Sequence, residues 1–169
     1  MDFMAMKVDS LNDLFVYDLK DLYDAENRII EAMPSMIEAA SAAELKQAFQ
    51  EHLNVTKQQA SRLEEIFDML DMDPERESCD GIIGILKEGS KMAAAKGDPN
   101  TKDAALIASA QKVEHYEVAS YGTLRTYARE LDMDDVAEIL QMTLDEEKDT
   151  DSQLTGLAER SINIQAAGG

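Results

Sequence analysis

The chain has 169 residues, only 8 glycines and 3 prolines, no tryptophan and a formal net charge of -19. That length suits one domain with its own core, and the excess of Ala, Leu, Met, Glu, Asp and Lys over strand formers favours an all-α fold. The acidity argues against nucleic acid or an anionic membrane surface as partner, because both reward basic patches, and leaves cations as the better match.

The single cysteine, Cys79, has no partner for an intramolecular disulfide. The start of the chain lacks a basic region followed by an apolar run, and no stretch is apolar for long enough to span a bilayer, so a cytoplasmic protein is expected.

From Ser10, the residues Leu11, Leu14, Phe15, Leu22, Ile29, Met33 and Met36 recur at spacings of three and four, predicting a helix over about 10–39. Ser10-x-x-Asp13 resembles a weak capping box, and Pro34 is expected to kink that helix or end it early. Ser41-Ala-Ala-Glu44 reads as a capping box for a second helix over about 42–70, whose face carries Leu45, Phe49, His52, Thr56, Leu63 and Phe67. So short a connection makes the two helices antiparallel neighbours.

About thirty residues separate Pro74 from Thr101, the expected cap of the third long helix, which is too many for an unstructured loop in a compact domain. Ile82, Ile83, Leu86 and Met92 predict a short crossover helix over about 80–95, closed by Lys96-Gly97 and followed by Pro99. Long helices over about 101–130 and 134–164 follow, joined at Leu131-Asp-Met-Asp134. Two antiparallel hairpins linked by one long crossover is the connectivity of ferritin-like bundles. The expected architecture is therefore a single ferritin-like four-helix domain spanning 1–169, with one extra short helix.

Polar residues fall on the inward faces. Reflecting the first hairpin about residue 40 brings Glu26 level with the stretch between His52 and Thr56; reflecting the second about residue 132 brings Glu117 level with Glu147, and Glu114 with Thr150. Buried carboxylates are costly unless compensated. A metal cluster would compensate them, as would an ion-pair network with Arg28, Arg62 or Arg125. A shift of 91 residues superposes the second and fourth long helices, matching Thr56 with Glu147 and Gln59 with Thr150. Carboxylate-bridged di-iron bundles carry Glu-x-x-His on two helices; here those slots read Thr56-x-x-Gln59 and Glu147-x-x-Thr150. Asp151, one turn beyond Glu147, is a further ligand candidate, as are Thr56 and Gln59. Asp18 and Glu88 read as surface or interhelical groups, Tyr116 and Tyr121 as packing residues that can also bond a glutamate, and Cys79 as structural.

Leu22-Tyr-Asp-Ala-Glu26, His52-Leu53 with Thr56, Cys79 ahead of Gly81, Val113-Glu-His-Tyr-Glu-Val-Ala-Ser-Tyr-Gly-Thr-Leu124 and Thr143-Leu-Asp-Glu-Glu-Lys148 resemble the YciF-like family of bacterial ferritin-like proteins. The resemblance runs from about Leu11 to Ile164. It implies a ferritin-like bundle, a homodimer and a link to bacterial stress responses, without an established biochemical activity. Similarity to the wider rubrerythrin and ferritin group suggests Glu26, Glu114, Glu117 and Glu147 as metal ligands, with His52 the one available imidazole. His115 is turned about 100° from Glu114 and is expected to face away. Such an oxygen-rich set suits iron, manganese, magnesium or calcium better than copper or zinc. The expected cofactor is one or two divalent ions, iron or manganese. A rubrerythrin-type di-iron oxidase or peroxidase and a metal-free dimeric interaction protein are the alternatives; the scarcity of histidine weighs against the enzyme.

Overall fold

A computed structural model describes residues 7–168; residues 1–6 and 169 of the expected 1–169 domain lie outside the described residues. The elements in chain order are α1 (Leu11–Ala39), α2 (Ala43–Met69), α3 (Asp80–Ala93), α4 (Pro99–Glu130) and α5 (Asp134–Leu157). A π-helical turn (Ala158–Ile162) then leads into the short α6 (Asn163–Ala167). The four long helices pack as the pairs α1–α2 and α4–α5, joined across α1–α4 and α2–α5, while α3 lies against α1 and α4. The all-α bundle with one helix-bearing crossover is thus observed. Among the described residues no helix is long and apolar enough to cross a membrane.

The core is apolar at both ends of the bundle and polar in its middle. Phe15, Leu19 and Phe67 fill one region, and Ile29, Leu45 and Phe49 are equally buried farther along the first hairpin. α2 and α4 end alike. At each end an aspartate, Asp71 (φ 53°) or Asp132 (φ 57°), takes the left-handed conformation. The next amide then reaches back, from Met72 to the Phe67 carbonyl and from Met133 to the Ala128 carbonyl, each at 2.9 Å. This is the Schellman closure, built here on Asp, one of the few non-glycine types that tolerate that backbone.

The helix ends correct several expectations. Pro34 does not end α1, which continues to Ala39. The missing bond costs about 3 kcal/mol; burial of Met33 offsets it by roughly 1.5–3 kcal/mol, and half-buried Met36 and Ile37 pack on the core beside it. Ser10 does cap α1, its hydroxyl accepting from the Asp13 amide at 3.0 Å. Ser41-x-x-Glu44 forms no capping box. The Asp103 carboxylate, reaching across from α4, instead accepts from the amides of Ser41 (2.8 Å) and Ala42 (2.7 Å). Asp98, not Thr101, caps α4, and Pro99 occupies its first turn, where a missing amide costs nothing. α3 stops at Ala93, short of Gly97. The last long helix is interrupted by the π turn; Leu154 and Leu157 before it and Ala158 and Ile162 within it all stay buried.

Candidate metal centre

Helical spacing puts Glu114 and Glu117 on one face of α4, one turn apart. α2 brings His52 against them, α5 brings Glu147 and α1 brings Glu26. All five side chains are buried: the four glutamates are 0 % exposed and His52 is 5 % exposed. One ligand atom each from His52, Glu114, Glu117 and Glu147 lies within 4.8 Å of the others. Opposite donors on one octahedral ion with bonds of about 2.1 Å stand about 4.2 Å apart, so small side-chain rotations would close this set on a cation. Glu26 lies beside the four, its carboxyl in contact with that of Glu117 and bonded by the Tyr121 hydroxyl.

The lone pairs in this pocket have few protons to meet. Among the described residues, both oxygens of Glu114 and of Glu117, Oε2 of Glu26, Oε2 of Glu147 and both His52 nitrogens lack a hydrogen-bond partner. His52 Nε2 approaches Glu114 Oε1 to 3.2 Å, but without the alignment of a hydrogen bond. The remaining oxygens of the two outer carboxylates are each held by a neutral donor: the Tyr121 hydroxyl donates to Glu26 Oε1, and the Gln59 amide donates to Glu147 Oε1.

Gln59 is itself oriented. Its amide also donates to Glu146 at 3.2 Å, and Glu146 is gripped by Arg62 through bonds of 2.6 and 2.8 Å. The arginine alternative fails on these contacts. Arg62 is spent on Glu146, Arg28 on Asp24 at 2.5 Å and Arg125 on Gln141 at 2.7 Å. Among the described residues, no guanidinium neutralises Glu26, Glu114, Glu117 or Glu147.

The electrostatic consequences follow from burial. Loss of water, then the charge of Glu147, pushes Glu26 up to about 8 against the pull of the Tyr121 hydroxyl. Burial and the neighbouring carboxylates push Glu114 and Glu117 well above the usual range. Glu147 also rises through burial, opposed by its contacts with Glu114, Glu117 and Gln59. Burial lowers His52 to about 4, so its imidazole is neutral at pH 7 with a lone pair to offer.

The other candidates lie outside the four-residue cluster. Thr56 is buried but gives its proton to the His52 carbonyl at 2.9 Å. Asp151 is partly exposed, accepts from Gln111 at 3.1 Å and lies 3.3 Å from His115 Nε2; His115 does face outward. Glu88 is exposed and pairs with Lys112.

Cys79 is structural: burial pushes its thiol up to about 11, and its Sγ lies 2.9 Å from the Tyr116 hydroxyl. Asp24 and Asp103 gave no sequence signal as buried groups. Asp24 collects Arg28, Arg76 and the Cys79 amide, fastening the crossover to α1. Tyr121 is the functional candidate that periodicity undervalued, since an inward tyrosine reads first as packing.

Residues 10–167 match the protein family described as Domain of unknown function (DUF892). The chain belongs to this family. The chain is 38% identical over 162 residues to Protein YciF of Escherichia coli (strain K12), across 95% of this chain and 98% of that one. The crystal structure of the E. coli stress protein YciF superposes with a TM-score of 0.88 at 38% identity, over 92% of this chain and 99% of that one. YcfI from Rhodopseudomonas palustris gives a TM-score of 0.87 at 39% identity, over 90% and 98%. A protein from Xanthomonas campestris pv. campestris shares the fold, with a TM-score of 0.74 at 23% identity over 94% and 95%. The expected YciF-like kinship is therefore observed.

Proposed function

We propose that this DUF892 protein is a stress-associated ferritin-like bundle that holds one or two divalent ions, iron or manganese, between its four long helices. Glu114 and Glu117 would share the metal from α4, Glu26 and Glu147 would bind from α1 and α5, and His52 would be the single nitrogen donor. The observation that carries this reading is the set of buried carboxylate oxygens with neither a hydrogen bond nor a guanidinium to meet them. Uncompensated buried charge is costly, and two divalent ions would neutralise four carboxylates.

The donor set fits hard cations. Each outer carboxylate also has one oxygen tied by Tyr121 or Gln59, leaving the other for a cation, which is how groups behind a metal site usually orient its ligands. When bound, the ions supply Lewis acidity and, for iron or manganese, a change of oxidation state. The stress association rests on kinship with the E. coli stress protein YciF. The homodimer implied by the resemblance belongs to the same reading, and light scattering tests it as a mass twice the 18.7 kDa of one chain.

The test of the metal is elemental analysis of protein purified without chelator, beside a Glu114→Ala/Glu117→Ala variant. Bound iron or manganese in the parent and none in the variant is expected. No divalent metal in either, together with no stabilisation on adding one, would overturn the reading.

A further inference from the structure

A cavity of about 30 Å³ lies among α1, α2, α3 and α4, with His52 in its lining. Its rim carries Ser35 and Ser90, both exposed, and its inner walls are Phe49, Ala110 and Val113. His52, one of the lining residues, is also the residue whose Nε2 faces Glu114. The cavity and the carboxylate cluster therefore share one side chain as their common wall.

The walls are drier than their composition suggests. Three serines line the cavity, and each spends its proton on its own helix: Ser35 on the Ala32 carbonyl (2.8 Å), Ser90 on Leu86 (2.9 Å) and Ser109 on Ala105 (3.0 Å). A space needs only about 10–15 Å³ to hold a water, but that water needs two to four polar partners, and spaces without them stay empty and take up apolar gases. Here the unpartnered nitrogen of buried His52 is the principal polar group left. The size admits one small molecule, and the lining favours an uncharged, apolar one.

We propose that this cavity is the access chamber through which dioxygen-sized, uncharged molecules reach the metal side of His52, past an apolar wall that excludes ions. The proposal rests on the metal reading above, and it assigns that site a substrate class: small diatomic gases. A hydrated ion cannot shed its water in a passage this narrow and apolar, so metal and gas would reach the cluster by different ways.

The test uses xenon as probe on the metal-free protein. Crystals pressurised with xenon are expected to show one xenon peak in this cavity, lost in Ala110→Leu, which fills the inner wall, and in Ala32→Leu, which fills the wall nearer the mouth. The second variant keeps the test open should the first fail to fold. In ferrous-loaded protein, nitric oxide uptake followed by stopped-flow absorbance should slow several-fold in either variant, with unchanged iron content. Ordered waters in place of xenon in the parent, or nitric oxide uptake at the parent rate in a variant that has lost xenon, would overturn the proposal. Failure of the metal reading is distinguishable, because it shows as no bound ferrous ion in any form while the xenon peak persists.

Discussion

Removing metal should make this protein less stable as pH rises, the reverse of what a simple surface of carboxylates would do. The perturbation is chelation, followed by titration from about pH 4.5 to 8. Glu26 is raised from 4.5 to about 8 by burial and by Glu147. Because its folded value lies above its unfolded one, its contribution is fully present below about pH 4.5 and is lost as pH rises through the folded value. At about 1.4 kcal/mol per pH unit, Glu26 alone removes about 3 kcal/mol by pH 7. Glu114, Glu117 and Glu147 act in the same direction. Asp24 behaves oppositely: burial alone would raise it, but the Cys79 amide, Arg28 and Arg76 hold it below the usual carboxylate range. Its stabilisation is lost only in more acidic solution. His52, lowered to about 4 by burial, also opposes the glutamates, because below about pH 6.5 its unfolded imidazole binds a proton that the folded one does not. The window above about pH 6.5 is therefore left to the buried glutamates. For a domain of this size, 3 kcal/mol is roughly 6–12 °C in Tm. The assay is thermal melting by far-UV circular dichroism, with chelator and with excess manganese. Chelated protein should lose stability across the window. Manganese should hold or raise it, because binding carboxylates releases their protons and strengthens with pH. A chelated Tm that stays flat or climbs from about pH 6.5 to 8 would refute the reasoning.

Three substitutions follow from contacts already described. Tyr121→Phe removes the donor that holds Glu26 Oε1 and is expected to weaken metal binding about 10–100-fold, read by isothermal titration calorimetry, with helicity unchanged. Asp103→Ala leaves the amides of Ser41 and Ala42 without their acceptor and should cost about 1–2 kcal/mol in urea unfolding, with metal affinity retained. At Gly81 an added Cβ would stand 2.6 Å from Cε2 of Tyr116. Gly81→Ala should therefore displace α3 or that ring and cost about 1–3 kcal/mol, measured by the same unfolding.

Much of this arrangement is legible in the sequence because a helix has one period and a buried carboxylate violates it. Glu26, Glu114, Glu117 and Glu147 fall on apolar stripes, and reflection about two short turns sets them at one level without any knowledge of packing. What stays hidden is interaction across helices. Ser41-x-x-Glu44 has the local form of a capping box, yet Asp103, some sixty positions away, satisfies those amides instead. Pro34 carries a local penalty that tertiary burial overrides. Gln59 occupies the position of an absent histidine, and only the fold shows that its amide is turned onto Glu147 and anchored by Glu146 and Arg62. The π turn at Ala158–Ile162 escapes a reading that assumes about 3.6 residues per turn throughout.

The most direct measurement is anomalous diffraction from crystals grown with manganese. The expected result is a manganese peak inside the bundle, within about 2.0–2.3 Å of oxygens from Glu114, Glu117 and Glu147, with an imidazole nitrogen of His52 completing the set. Manganese found only at surface carboxylates, with the interior lacking any peak, would contradict it.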